Sequence, residues 1–163
     1  MINFQNSYSK LPERFFERVS PAKFKNLKLI SFNYELASEL GIITEGVSEE
    51  ELVLIFSGQK ILPGSDPIST VYAAHQFGHF VPLLGDGRAH LLGEVNGFDI
   101  QLKGSGQTRF SRNGDGRSAL GPVVREYLVS EAMFYLGVPS TRALSAVGTG
   151  EDVYRFNVEP GGI

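Results

Sequence analysis

Ala89-His90-Leu91-Leu92-Gly93-Glu94-Val95 and Phe98-Asp99-Ile100-Gln101-Leu102-Lys103 are two strand-like runs with only Asn96-Gly97 between them. Asn-Gly between apolar runs is the strongest short hairpin signal, because a type I′ turn needs positive φ at both central residues. The second run alternates, which predicts Phe98, Ile100 and Leu102 on one face and Asp99, Gln101 and Lys103 on the other. A glycine-rich string, Leu84-Gly85-Asp86-Gly87-Arg88, precedes the hairpin, and a loop rich in Gly, Ser, Arg and Asn, Gly104 to Gly116, follows it. Pro122 suits the first turn of a helix. Val124, Tyr127, Leu128, Ala132, Tyr135 and Leu136 carry that helix to about Leu136, and Gly137 and Pro139 stop it. Arg142–Val147 and Val153–Val158 then read as a further strand pair across Gly148-Thr149-Gly150-Glu151.

Towards the N-terminus the texture is different. Residues 1 to about 70 read as helices joined by Pro-marked turns. Asn33 is an N-cap for a helix through Leu40, with Gly41 just past its end. Ser48 and Glu51 form a capping box for a helix to about Ser57, before Gly58. Leu62-Pro63-Gly64-Ser65-Asp66-Pro67 is a turn-rich loop, and a short helix is expected over Thr70 to Phe77. The expected organisation is a helical extension over 1–70 and a second domain over 71–163.

Composition limits the function classes. The 163 residues carry 15 basic and 18 acidic side chains, a formal charge of −3, which argues against a general nucleic-acid-binding surface while leaving room for a local basic pocket. With no cysteine, disulfides, thiolate metal sites and cysteine nucleophiles are excluded. No apolar run approaches a membrane span. The N-terminus has neither the basic and apolar regions of a signal peptide nor an Arg-rich presequence, which reads as cytoplasmic. Glycine is the excess: 19 residues, ten of them between Gly78 and Gly121. Dense, non-repetitive glycine marks backbone that turns sharply or approaches something closely.

The chemistry-bearing residues lie in the second region. Gly85, Gly87 and Arg88 combine backbone N–H groups with a forked cation, a combination suited to phosphate, although Gly-Asp-Gly is also an ordinary turn. Lys103 at a strand end is either a snorkelling side chain or a point charge for nucleotide phosphates; the second role needs a carboxylate to hold it. Glu126 and Glu131 on the following helix are the candidates. Asp115 and Gly116 lie in Asn113-Gly114-Asp115-Gly116-Arg117, a second copy of Gly-Asp-Gly-Arg 29 positions after the first; Asp115 either caps the next segment or faces a ligand. His75, His79 and His90 make only a weak metal set, because Gln76 stands where a zincin would have glutamate. Glycine loop, hairpin, strand lysine and glutamate-bearing helix follow the order of a protein-kinase N-lobe. The fold class expected is therefore α+β, an antiparallel sheet plus that helix, behind the helical extension. Gly-x-Ser-x-Gly, Walker A and Rossmann strings are all lacking.

Tyr72-Ala73-Ala74-His75-Gln76-Phe77-Gly78, Leu84 to Arg88, Asp99 to Gly104, Gly114 to Arg117, Arg125-Glu126-Tyr127-Leu128, Ser130 to Met133 and Pro139 to Leu144 together resemble the selenoprotein O family. So do Asn6-Ser7-Tyr8 and Leu11 to Phe15. The resemblance implies a kinase-like pseudokinase fold that binds ATP in an inverted orientation. It further implies transfer of AMP to protein Ser, Thr or Tyr hydroxyls with Mg²⁺ or Mn²⁺. On matched positions it implies a nucleotide site of Gly85, Gly87, Arg88, Lys103, Asp115 and Gly116, with Glu126 as the ion-pair partner of Lys103 and Glu131 less favoured. The family's catalytic aspartate, its metal-binding Asn and Asp, and two further arginines lie beyond Ile163. The chain is thus expected to be an N-terminal, ATP-holding part that is inactive alone, with a C-terminal lobe docking on it. The partners implied are ATP and proteins with hydroxyl side chains, with no nucleic acid and no membrane. Two other readings stay open: a non-catalytic nucleotide- or protein-binding module, and, less favoured for want of Gly-x-Gly-x-x-Gly spacing, a phosphate-transferring kinase lobe.

Overall fold

The computed structural model describes residues 2–163. In chain order it contains two single 3₁₀ turns (Tyr8–Lys10, Glu13–Phe15), β1 (Phe16–Arg18), β2 (Lys28–Phe32), α1 (Tyr34–Glu39), α2 (Glu49–Phe56), β3 (Ile68–Thr70), β4 (Ala74–Gln76), β5 (His79–Val81), β6 (Ala89–Val95), β7 (Phe98–Lys103), β8 (Ser118–Ala119), α3 (Leu120–Tyr135), β9 (Ser145–Tyr154) and β10 (Val158–Gly162). The class is α+β. Two four-stranded antiparallel sheets run β1-β3-β6-β7 and β2-β9-β10-β8, and β4-β5 is a separate two-stranded ribbon.

The β6–β7 hairpin folds as its turn chemistry dictates. Asn96 and Gly97 take φ of 49° and 82°, and Val95 faces Phe98 while Ala89 faces Lys103. Ile100 and Leu102 are buried and Asp99, Gln101 and Lys103 are exposed. Phe98 departs from the expected face: it is 63% exposed, because the hairpin end projects beyond the core. A bulge at Leu91/Gly93 lets the N-terminal segment close in. An added Cβ at Gly93 would meet the Gln5 carbonyl at 2.6 Å.

The helices follow their caps. Asn33 Oδ1 accepts from the Leu36 N–H at 2.9 Å, and Ser48 Oγ from the Glu51 N–H at 3.2 Å. All three helices close in a paired 6→1 and 5→2 bond pattern through a positive-φ glycine, Gly41, Gly58 or Gly137. The main core joins both ends of the chain: Phe4, Phe32, Leu36, Leu52 and Phe56 pack with Leu92, Ile100, Leu102 and Ile163.

Three expectations are corrected. Thr70 to Phe77 is not a helix: β3 ends at Thr70, and β4 and β5 form a hairpin turning at Phe77-Gly78, with φ of 53° and 79°. His75 then faces Phe80 across the ribbon, so its i, i+4 spacing to His79 has no helical meaning. The strand pair after α3 is also shifted. Gly148 to Glu151 lies inside the continuous strand β9, and the turn is at 155–157. Gly150 serves close packing rather than a turn, since its Cβ would meet Asn26 at 2.4 Å. Finally, the first seventy residues are not simply helical: β1 and β3 join the hairpin's sheet and β2 joins the β9 sheet. β1 and β3 have three residues each, too few to display a period, and the five of β2, Lys28-Leu29-Ile30-Ser31-Phe32, do not alternate in polarity; their partners define them.

Candidate functional site

The loop from Gly85 to Arg88 is held from behind by one aspartate. Asp86 is nearly buried. Its Oδ2 accepts from the Thr70 N–H at 3.1 Å, the Thr70 hydroxyl at 2.5 Å and the Gln101 amide at 3.1 Å, and its Oδ1 from the Tyr72 hydroxyl at 3.2 Å. Burial, with Asp86 beside it, pushes the Tyr72 phenol up and keeps it a donor. The Asp86 carbonyl accepts from Ser69 Oγ and Thr108 Oγ1 at 3.0 and 2.6 Å. The glycines on either side admit the facing loop. An added Cβ would meet the Phe110 ring at 2.4 Å from Gly85 and the Phe110 carbonyl at 2.7 Å from Gly87.

The second Gly-Asp-Gly-Arg string lies in that facing loop, where the same residues have other partners. Gly116 has φ of 67° and packs so closely on Gly106 that a Cβ would stand 2.1 Å from its carbonyl. Asp115 turns to Arg155, which donates from Nη1 to Oδ2 and from Nη2 to Oδ1, both at 2.8 Å. The Arg117 N–H adds a third bond at 2.9 Å. The Arg155 hydrogen bonds lead in holding the Asp115 carboxyl down to about 2. Arg117 pairs with Glu151 and lies over the Phe24 ring.

A cavity of about 550 Å³ opens between the two loops, and Gly85, Gly87, Arg88, Lys103, Asp115 and Gly116 all line it. Its other charged walls are Asp86, Arg112, Arg117 and Arg155, so five basic groups face two acidic ones. A carboxylate-poor wall of forked and point cations, with glycine backbone between them, has the chemistry of a polyphosphate site. Arg88 has no side-chain partner among the described residues, and Arg112 meets only the neutral Gln76, at 2.8 Å.

Lys103 Nζ stands 3.2 Å from Glu126 Oε2. Both side chains are more than half exposed, so this pair orients more than it stabilises. Glu131 is elsewhere. It receives Arg142 through Nε at 2.8 Å and Nη2 at 2.7 Å, the Asn33 amide at 2.8 Å and the Ala143 N–H at 3.1 Å. The Arg142 bonds lead in lowering its carboxyl below the ordinary range. Glu131 thus ties α3 to the α1 cap and to the segment after α3. A second hollow of about 380 Å³, between α3 and the sheet, is lined by Lys103, Glu126, Arg142 and Ile163 among others; Arg88 and Lys103 line both.

His90 is fully buried, with Nδ1 2.7 Å from Ser105 Oγ and Nε2 without a partner. His75 and His79 are exposed on the β4–β5 ribbon. Among the described residues no three His, Asp or Glu side chains gather as a metal-holding group. Arg112, Arg155 and Glu151 escaped the sequence reading. Arg112 belongs to no repeated string, and Arg155 and Glu151 lie 40 and 34 positions from Asp115 and Arg117, their partners.

The protein adenylyltransferase SelO family model matches residues 1–162. A protein nucleotidyltransferase YdiU of Rhizobium rhizogenes is 59% identical over 167 aligned positions, covering 99% of this chain. Proteins of the same name from Nitrobacter hamburgensis and Methylorubrum populi are 56% and 54% identical over 99% and 100% of the chain. The chain spans about a third of the length of these curated relatives.

Proposed function

The chain belongs to the protein adenylyltransferase SelO family, and from that membership we propose that it is the nucleotide-holding part, a kinase-like N-lobe, of an enzyme that moves AMP from ATP to protein hydroxyls. One observation carries the reading: the six residues expected to bind nucleotide line a single cavity with a surplus of basic groups. In the proposed reaction a substrate hydroxyl oxygen bonds to the α-phosphorus while its proton passes to a base outside this chain, the bond to the bridging oxygen breaks, and pyrophosphate leaves with the displaced electron pair. Negative charge grows on the phosphate oxygens, so fixed cations that need no reorganisation lower the barrier. Arg88 has no competing carboxylate, and Lys103 is aimed by Glu126. The donor set fits a triphosphate. A divalent ion would add phosphate charge neutralisation, but no described cluster of side chains suits one, so no step is assigned to it. The AMP acceptor, the C-terminal lobe and the cytoplasmic setting belong to the same proposal. Among the described residues no helix is long and apolar enough to cross a membrane.

Calorimetry with ATP on the 163-residue chain tests the site. Lys103→Ala and Arg88→Ala are each expected to weaken binding about tenfold, the loss of one charge-assisted contact. Unchanged affinity in both removes the assignment. The chain alone is expected to give no metal-dependent AMP incorporation into protein; incorporation above background would show that it carries its own catalytic groups.

A further inference from the structure

An aspartate in a polyphosphate cavity is a liability unless its charge is cancelled, and the structure contains a device that cancels it. Resting on the nucleotide reading above, we propose that Arg155, in the β9–β10 turn, is a positioning residue that converts Asp115 from a repelling charge into a directed hydrogen-bond acceptor for the ribose 2′-hydroxyl or the adenine amino group. A carboxylate offers about four lone-pair sites. Arg155 Nη2 and the Arg117 N–H occupy Oδ1, and Arg155 Nη1 occupies one site on Oδ2. One acceptor site remains, on Oδ2. Arg155 Nη2 also donates to the Arg117 carbonyl at 3.0 Å, so the same guanidinium fixes the backbone on the C-terminal side of Gly116. The Arg117–Glu151 pair braces the loop a second time from β9. The low Asp115 titration is in keeping with a carboxylate that stays ionised and neutralised in place. Two chain segments 40 residues apart thereby meet at one residue pair on the cavity wall.

The charge-cancelling role separates from a direct phosphate contact by double substitution. ATP, 2′-deoxy-ATP, ITP and inorganic tripolyphosphate are titrated into the chain and into Arg155→Ala, Asp115→Asn and the double variant, each checked for an unchanged circular dichroism spectrum. Arg155→Ala is expected to weaken tripolyphosphate at least tenfold, because Asp115 is left uncompensated. Asp115→Asn should bind tripolyphosphate at least as tightly as wild type, because Arg155 is then the uncompensated charge. The double variant, neutral at both positions, should return to within threefold of wild type. ATP should suffer in every variant, and the arm lacking the donor that Asp115 reads, deoxyribose or hypoxanthine, should be insensitive to Asp115→Asn. A double variant as weak as Arg155→Ala overturns the proposal, since Arg155 would then touch phosphate or merely support the fold. So does sensitivity of both altered nucleotides to Asp115→Asn equal to that of ATP. If the unaltered chain binds none of the four, the nucleotide reading itself falls. Amide exchange in the ligand-free chain still decides the positioning part: exchange at Gly116 and Arg117 at least tenfold faster in Arg155→Ala supports it, and unchanged exchange overturns it.

Discussion

Glu126 and Glu131 sit five positions apart on one helix and do different work. Glu126 faces Lys103 in water, a pairing that contributes at most about 1 kcal/mol to stability. Glu131, only 13% exposed at its side chain, gathers Arg142, Asn33 and the Ala143 N–H. Removing one partner of such a network leaves polar groups unmet, at a cost of about 2 kcal/mol or more. Glu131→Gln is therefore expected to lower the urea midpoint clearly, and Glu126→Gln to leave it nearly unchanged while weakening ATP binding. His90 supplies a pH dependence. Burial lowers its pKa from 6.5 to about 4. Between those values the unfolded chain binds the proton that the folded chain refuses, so stability is full above about pH 6.5 and falls as pH drops towards 4. The gap sets a ceiling of about 3 kcal/mol on that loss. Urea unfolding at pH 7, 6 and 5 should follow this slope, and His90→Gln should flatten it. Gly85 and Gly87 read as backbone opened towards phosphate. They also serve the fit of one loop on the other, because an added Cβ at either would meet Phe110; Gly116 does the same against Gly106.

At the scale of elements, whatever rested on local chemistry was legible. Asn96-Gly97, the Asn33 and Ser48 caps and the glycines ending three helices each decide structure within four residues, and each is found where the string stands. What depended on distant partners was not. The three-residue strands β1 and β3 exist because they pair with each other and with β6. Thr70 to Phe77 reads as a short helix but is drawn into the end of β3 and the β4–β5 ribbon, with the Leu84 and Gly85 N–H groups returning to the Tyr72 carbonyl. The candidate site divides the same way: its short strings were readable, but Arg155 is known only through the β9–β10 turn that carries it. The hairpin turn yields an elemental prediction. Gly97→Ala forces a side chain into φ of 82°, at about 1–2 kcal/mol. A lowered melting temperature with an unchanged spectrum is expected, whereas Gly121→Ala, where no atom obstructs a Cβ and φ is not positive, should not destabilise.

Over the whole molecule, apolar surface is unevenly covered. The N-terminal segment, α1, α2 and the β6–β7 hairpin share a continuous core, yet no residue of the 16-residue helix α3 is buried. Leu128, Tyr135 and Leu136 are 62%, 68% and 79% exposed. Apolar surface of that kind favours association, so sedimentation of the chain should show concentration-dependent self-association that Leu128→Lys with Leu136→Lys reduces; a strictly monomeric chain at every concentration would contradict this. The cavity side is of opposite character. The Asp86 web to Thr70, Tyr72, Gln101, Ser69 and Thr108 immobilises the Gly85–Arg88 loop before any ligand arrives. A ligand entering there would find its conformational entropy cost already met by folding. Its association would be governed by diffusion and charge steering rather than by waiting for a rare loop shape, and its heat-capacity change would reflect the contact area alone.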